Sequence, residues 1–370
     1  VSLSYTNKRE KGLFHYPAAK SHYLCFMTTT NILCKSRADL ENWFKERGEP
    51  GFKGRQVYDW LWKRQARDFH DMTNLSKALR EELAAAFEIP GLRTDVTQVS
   101  CDGTIKSRFR LADDHLIESV LIPVPEEKRF TACVSSQVGC SLTCSFCATG
   151  QMKRMRNLRA HEIVDQFIQV NMQSEAHFGH PLTNVVYMGM GEPLLNYAEV
   201  MESVRILNQE MEFGIKRITI STAGIAKMID KLTEEDVRFN LALSLHAADD
   251  SKRNTIMPIN ESNNLEALIR SLTQFYNKTK NKITFEYIAF DRFNDTLQDA
   301  RHLAELCRHF PVKINIIEYN PIEGFDGRKS GEDRLEIFAS YLQNKGIPVT
   351  IRRSRGKDID AACGQLANKG

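Results

Sequence analysis

The run Cys140-Ser141-Leu142-Thr143-Cys144-Ser145-Phe146-Cys147 puts three thiols on one short loop with the spacing C-x3-C-x2-C. Thiolates bind iron, and three of them so placed can hold three corners of a cubic [4Fe–4S] cluster, whose full complement is four. The loop offers no fourth cysteine, so one iron would stay open to a small molecule. Two plainer readings compete. The three residues could be small buried hydrophobes. They could also belong to a zinc site, but zinc wants four ligands, and no His or further Cys completes the set here.

Working outward, the loop follows a β-rich run at 132–136, and from there the chain alternates. Strand-like runs at 184–188, 217–221, 240–245, 283–290, 313–318 and 348–351 are separated by amphipathic stretches at 161–174, 197–208, 224–232, 265–277, 297–309 and 332–344. Repeated βα units predict an α/β fold with a parallel sheet, here an open or partial (β/α)6-type barrel over 131–355. Residues 36–92 read as a helical module. Leu40, Trp43 and Phe44 share helical spacing, Val57, Trp60 and Leu61 repeat it, and Leu75, Leu79, Leu83 and Phe87 form a third stripe before Pro90-Gly91. Residues 93–130 read as a β-rich connector with strands at 94–100, 105–111 and 116–122. Asp102-Gly103 marks a hairpin turn and 123–129 a loop. Residues 356–370 form a C-terminal segment and 1–35 an arm. The first Met, Met27, precedes a Thr-rich lead-in, so the native start is expected near it.

The bulk numbers bound the class. The 370 residues are 42% hydrophobic and 26% charged, ordinary for a globular protein. No apolar run is long enough to span a bilayer, and no secretory signal pattern is present. The nine cysteines are an odd number in a large chain, which does not suggest a secreted disulfide scaffold. Iron-binding thiols need a reducing compartment, so the expected location is cytoplasmic. Net charge is only +3, yet cations cluster as Lys153, Arg154, Arg156 and Arg159, as Lys53, Arg55, Lys63, Arg64 and Arg67, and as Arg352, Arg353, Arg355 and Lys357. Such patches suit a phosphate backbone; taken alone, each reads more readily as a solvated surface.

Strand C-terminal ends are where barrels and open α/β sheets place their sites. The cysteine loop occupies one. Met188-Gly189-Met190-Gly191-Glu192-Pro193 occupies the next, where Gly191 allows close approach to backbone and Glu192 offers a carboxylate to a cationic amine. Later ends carry Ser221, then Ser244-Leu245-His246, then Asn320, small groups suited to a ribose, carboxylate or adenine. Cys133 and Cys363 stand apart, and taken singly each reads as a buried small hydrophobe.

The cysteine spacing resembles that of radical S-adenosylmethionine (SAM) enzymes, in which the open iron chelates SAM. Taken with Cys133-Val134-Ser135-Ser136-Gln137-Val138-Gly139-Cys140, Gly191-Glu192, Ser244-Leu245-His246-Ala247 and Asp360-Ala361-Ala362-Cys363-Gly364-Gln365-Leu366, the chain resembles the RlmN/Cfr family of radical SAM RNA adenosine methyltransferases from about 36 to 367. The resemblance implies a [4Fe–4S] cluster on Cys140, Cys144 and Cys147, and SAM held by Gly191, Glu192, Ser221, Ser244, Leu245, His246 and Asn320. It implies that SAM methylates Cys363, that a radical formed from a second SAM takes hydrogen from that methyl, and that the resulting methylene radical adds to the adenine. Cys133 then resolves the adduct by removing a ring proton and forming a disulfide with Cys363. Glu118 matches the family's candidate acid/base carboxylate, although the loop between it and Cys133 is longer than expected. The implied partners are 23S rRNA, tRNA, and an external electron donor and disulfide reductant; no membrane is involved, and a monomer is expected. The helical module at 36–92 would grip RNA.

Within the family, Val138 and Pro193 resemble the RlmN branch, which methylates adenosine carbon 2 at the peptidyl-transferase centre of 23S rRNA and, in some bacteria, in tRNA 3′ of the anticodon. The Cfr branch, which acts on carbon 8, is the alternative. Rivals of other classes are a radical SAM activase acting on a glycyl partner and an iron–sulfur carrier or ribosome-assembly protein. Neither needs the Cys133/Cys363 pair.

Overall fold

The computed structural model describes residues 30–235 and 237–369; the expected start at Met27 lies outside them. Ten strands form one sheet: β1 (Arg93–Val99), β2 (Ile105–Arg110), β3 (Leu116–Val124), β4 (Arg129–Cys133), β5 (Asn184–Tyr187), β6 (Ile218–Thr222), β7 (Asn240–Ser244), β8 (Ile283–Ala289), β9 (Val312–Glu318) and β10 (Val349–Arg352). Neighbours follow chain order. From β4 to β10 every pairing is parallel, and from β1 to β4 every pairing is antiparallel. The β-rich stretch is therefore the antiparallel end of the same sheet. The loop expected at 123–129 is shorter, because Pro123 still pairs with Phe130 and only a tight turn, with Lys128 at φ 49°, separates β3 from β4.

Side chains alternate along each strand, and the two faces of the parallel part differ sharply. Tyr187, Ile220, Leu243, Phe285, Tyr287, Ile314 and Ile316 lie on one face, buried in a core shared with Ile229, Leu268, Leu303 and Phe338 of the flanking helices. The other face carries Cys133, Thr219, Ser221, Ser244, Glu286, Asn315 and Arg352, the alternate positions of the paired strands. Seven amphipathic helices run outside the sheet: α4 (Ala160–Phe178), α5 (Tyr197–Arg205), α6 (Ala226–Glu234), α7 (Asp250–Ile256), α8 (Leu265–Thr279), α9 (Leu297–Leu306) and α10 (Glu332–Asn344). Six match the expected amphipathic stretches. Helix α7 matches none of them; its run Asp249-Asp250-Ser251-Lys252-Arg253 contains no apolar residue to start a stripe.

The N-terminal module packs three further helices, α1 (Arg37–Lys45), α2 (Phe52–Trp62) and α3 (Lys77–Ala86). Ser36 and Asp39 close a capping box on α1. Helices α1 and α2 meet at Gly54, where an added Cβ would fall 2.4 Å from the Glu41 nitrogen, so only glycine fits. The module is pinned to the barrel by Arg67 on Asp165, by Arg205 donating to the Tyr58 hydroxyl at 2.7 Å, and by Arg37 on Glu210 at 2.8 Å. Asp165 also accepts from the Leu92 N–H at 2.6 Å. Two of the cations that suggested an RNA grip, Arg67 and Arg156, thus serve the fold; Arg156 bonds Asp113 and both oxygens of Glu162.

Asp165→Ala removes the acceptor for both Arg67 and Leu92. The expected outcome is a loss of about 1–3 kcal/mol, read by denaturant unfolding, with the iron content of the reconstituted protein unchanged.

Candidate functional site

The loop of Cys140, Cys144 and Cys147 leaves β4 and packs into a second apolar cluster. Leu142, Cys144, Phe146, Ile256, Met257, Ile288, Phe290, Ile317 and Tyr319 form it, with Cys140 and Cys147 at its edge. Phe146 meets His246 edge-on at 4.8 Å between ring centres. Two glycines set the loop's path. Gly139 has φ 74°, and a Cβ there would strike the Lys153 carbonyl at 2.3 Å; a Cβ at Gly150 would strike the Cys144 carbonyl at 2.7 Å.

Burial pushes the Cys140 thiol up to about 11, and it raises Cys144 and Cys147 as well. Backbone N–H groups of Ser141 and Leu142 point at Cys140, and those of Thr149 and Gly150 at Cys147. Dry thiols aimed at by amide donors are suited to become thiolates once a cation displaces their protons. Among the described residues no group of three or more His, Cys, Asp or Glu side chains is placed to hold a single metal ion. In a cluster each thiolate takes its own iron. The three cysteines fit the iron–sulfur group.

The next strand ends close around this loop. An added Cβ at Gly191, φ 94°, would sit 2.5 Å from Gln137 Cβ. Glu192 is buried; its Oε1 accepts from Leu194 N–H at 3.0 Å and its Oε2 from Ala223 N–H at 2.8 Å. Its carboxylate therefore ties the β5 loop to the β6 loop, a role the sequence did not suggest. Ser221 and Ser244 place their hydroxyls 3.4 Å apart across β6 and β7. Leu245 is buried. His246 Nδ1 accepts from the Ile288 N–H at 3.0 Å, and burial, with Arg253 nearby, lowers its pKa to about 3, so the ring is neutral near pH 7 with its proton on Nε2. Asn320 donates weakly to the Cys363 carbonyl, at 3.4 Å.

Arg253 on α7 was not anticipated. It is fully buried and donates to the carbonyls of Leu245 (3.0 Å), Ala223 (2.5 Å) and Ser244 (3.3 Å) and to Asn260 Oδ1 (2.5 Å). One guanidinium thus fixes the ends of β6 and β7. Its only sequence signal, a cation in a polar run, is shared by dozens of surface residues.

The C-terminal segment returns across the polar face. Gly356 N–H donates to Asp102 at 2.9 Å, and Asp358 accepts from Ser100 Oγ at 2.5 Å and from Cys101 N–H at 3.1 Å. Glu318, at the end of β9, accepts from Arg353 at 2.8 Å and Lys357 at 2.6 Å and pairs with Lys329 at 3.0 Å. Further on, Thr149 Oγ1 donates to Leu366 O at 2.6 Å, and Glu118 Oε2 accepts from the N–H groups of Ala367 (2.9 Å) and Asn368 (3.1 Å). Lys106 Nζ stands 3.5 Å from Glu118 Oε1, an oxygen with no hydrogen-bond partner.

This path brings Cys363 into electrostatic range of Cys133 and Cys147. Cys363 is exposed, although protein atoms surround its thiol. Burial pushes Cys133 up to about 12 and Cys363 to about 11. Cys133 pairs with Val120 in the antiparallel ladder, so Glu118, two residues before Val120, shares its face.

Of the cations expected to face RNA, Arg154 is exposed and donates to Asn157 Oδ1 at 3.3 Å. Arg352, Arg353 and Lys357 instead serve Glu286 and Glu318.

The family model described as Ribosomal RNA large subunit methyltransferase N-terminal domain matches residues 30–89, and that of the Radical SAM superfamily matches 134–307. The chain is 55% identical to a probable dual-specificity RNA methyltransferase RlmN of Cytophaga hutchinsonii, covering 94% of this chain and 97% of that one. It is 48% identical to one of Christiangramia forsetii, over 92% and 96%. A radical SAM methyltransferase from Sphaerobacter thermophilus superposes with a TM-score of 0.86 at 40% identity, covering 92% of this chain and all of that one. The matched superfamily implies an iron–sulfur cluster and SAM.

Two tests follow from this geometry. Arg253→Met strands four buried acceptors, and the expected loss is about 3–5 kcal/mol in denaturant unfolding, together with weakened SAM binding by equilibrium dialysis. For Glu318, burial opposes the charge, but the bonds from Lys357, Arg353 and Lys329 outweigh it and hold the carboxyl at about 2, against an ordinary 4.5. Its stabilisation is full above pH 4.5 and is lost as pH falls toward 2. With half-exposed partners this amounts to about 1–2 kcal/mol. Thermal melts of wild type and Glu318→Gln should differ at pH 6 and converge only as the pH falls below 2; equal melts at pH 6 would discard the clamp.

Proposed function

We propose, for a chain that belongs to the RlmN family of radical SAM RNA methyltransferases, that it methylates carbon 2 of an adenosine at the peptidyl-transferase centre of 23S rRNA and of the adenosine 3′ of the tRNA anticodon. The single observation that carries this reading is the convergence of Cys363 on Cys133 and the three-cysteine loop, brought about by a tail that crosses the whole polar face.

An adenine carbon bearing hydrogen is an electron-poor sp² centre and does not attack a methyl sulfonium as an oxygen or nitrogen would. The cluster and SAM, when bound, supply the electron and the carbon-centred oxidant that such a carbon requires. Cys140, Cys144 and Cys147 hold the cluster. Gly191 leaves room at the backbone, and Ser221, Ser244, Leu245, His246 and Asn320 line the strand ends over which SAM would lie. Glu192 keeps the loops of β5 and β6 in register for it. Cys363 gives up its thiol proton, carries the methyl and presents it to the ring. Cys133 takes the ring proton and passes it on, and its sulfur then bonds to that of Cys363 as the carbon–sulfur bond to the base breaks and a proton completes the methyl; the odd electron of the adduct would return to the cluster, and an external reductant must restore both thiols. Glu118 holds the tail through Oε2, and its Oε1, which has the Lys106 ammonium 3.5 Å away and no hydrogen-bond partner, is the atom left for proton transfer.

The carbon 2 assignment rests on Val138 and Pro193, and the methylated nucleoside decides it. Anaerobic incubation of the reconstituted enzyme with reductant, SAM and unmodified 23S rRNA or tRNA should yield 2-methyladenosine by mass spectrometry; 8-methyladenosine would move the chain to the Cfr branch. Cys363→Ala should keep the cluster's visible absorbance and lose all methylation. Cys133→Ala should accumulate a covalent protein–RNA species, and Cys144→Ala should lose the chromophore. Methylation surviving in Cys363→Ala would overturn the methyl-carrying role.

A further inference from the structure

Several of the cations that looked available to RNA are spent on carboxylates, but two beside the cysteine loop are not. Arg67 pairs with Asp165, Arg156 with Glu162, and Arg353 and Lys357 with Glu318. Lys153 and Arg154 are exposed, and among the described residues neither pairs with an acid. Their backbone lies against the lead-in to the cysteine loop: a Cβ on Gly139, the residue before Cys140, would run into Lys153 O and Arg154 Cα. The next residue, Met155, donates its N–H to Val138 O at 2.9 Å, yet its side chain is 57% exposed.

Asn157 joins this stretch to the loop that follows Glu192. Its Oδ1 accepts from Gln137 Nε2 at 2.8 Å and from Arg154 at 3.3 Å, and its Nδ2 donates to Leu195 O at 3.3 Å. Leu195 is a second exposed apolar side chain. One edge, shared by the cysteine loop and the Glu192 loop, therefore carries two unpaired cations and two apolar side chains on backbone that is hydrogen-bonded in place.

A lone exposed apolar residue needs no explanation, but this edge stands where one is required. A base that is to meet Cys363 has to leave its stack, and leaving costs unstacking energy. Proteins that open a stack push a Met, Leu or similar apolar side chain into the step, while cations hold the backbone. We propose that Met155, backed by Leu195, is the wedge that fills the place vacated by the target adenosine, with Lys153 and Arg154 on phosphates of the same RNA strand. The inference rests on the function proposed above. Methionine suits the task, because its unbranched, polarizable side chain adapts to whichever bases it meets. A wedge contributes only where a stack has to be broken, which distinguishes it from a general RNA contact and from a residue that supports the fold.

The test uses the reconstituted holoenzyme and two RNA hairpins that carry the target adenosine. In one the neighbouring bases are intact; in the other the two flanking nucleotides are abasic, so the target is unstacked from the start. Relative to wild type, Met155→Ala should lose about 10-fold in kcat/KM on the intact hairpin and much less on the abasic-flanked one, with iron content and SAM affinity as in wild type. Met155→Phe, which keeps an apolar wedge, should recover the intact hairpin. Reversing both charges, Lys153→Glu with Arg154→Glu, should weaken binding of the two hairpins alike and flatten its salt dependence. A Met155→Ala loss that is equal on the two hairpins would overturn the wedge, as would no loss on the intact one or a failure of Met155→Phe to restore it. RNA affinity unmoved by the charge reversal would overturn the path of the strand and leave the edge to a protein partner. A wild type that methylates neither hairpin would overturn the function reading itself, and this inference with it.

Discussion

The site exists because the C-terminal segment is held against the polar face of the sheet, and two buried carboxylates do most of the holding. Glu318 grips the approach through Arg353 and Lys357, and Glu118 receives the last backbone N–H groups. A carboxylate in a dry setting is stable only when paired and hydrogen-bonded. Both are, so the tail is the partner that each of them needs. Removing the tail would leave Glu118 with Lys106 alone and Glu318 with fewer cations. The fold and the return of Cys363 are in this sense one arrangement rather than a finished barrel with an added arm.

The second constraint is dryness around the cysteine loop. Arg253 takes up the carbonyls at the ends of β6 and β7, Glu192 takes up the N–H groups of two loops, and His246 stays neutral while accepting from Ile288. Each satisfies backbone groups that would otherwise require water. Phe146, Phe290 and Tyr319 then pack ring against ring in the cluster that holds Cys144. Radical chemistry of the kind proposed needs such a dry lining.

The fold was largely legible in the sequence, since strands of a parallel sheet read as apolar runs and helices as stripes. The sheet's continuity through 93–133 was not, because strand propensity does not say which neighbour a strand will find. The cysteine loop was legible because its chemistry is local. Cys133 and Cys363 are brought forward as a candidate pair by a resemblance and by the tail's long-range contacts, which no spacing encodes. Arg253, Arg67 and Arg156 were opaque for a single reason. A charged residue in a polar stretch looks solvated, and only the folded chain reveals that its neighbours are carbonyls or carboxylates. Glu286 was hidden in another way, as a polar position in an apolar strand, where alternation marks it as inward-facing but does not identify what it faces.

The tail is fastened on both sides of Cys363, and this suits the task proposed for it. On the approach, Gly356 and Asp358 are tied to Asp102, Ser100 and Cys101, and beyond Cys363 the segment is tied at Leu366, Ala367 and Asn368. Between them the backbone is held too: Gly364 O accepts from the Ala148 N–H of the cysteine loop at 2.7 Å, Gln365 N–H donates to Ala362 O at 3.1 Å, and Gly364 takes φ 86°, a conformation that glycine reaches without strain. One sulfur that must meet a methyl donor, then a ring carbon, then Cys133 needs a backbone firm enough to keep all three within reach, so that the change of partner falls to rotation of the side chain about its own bonds.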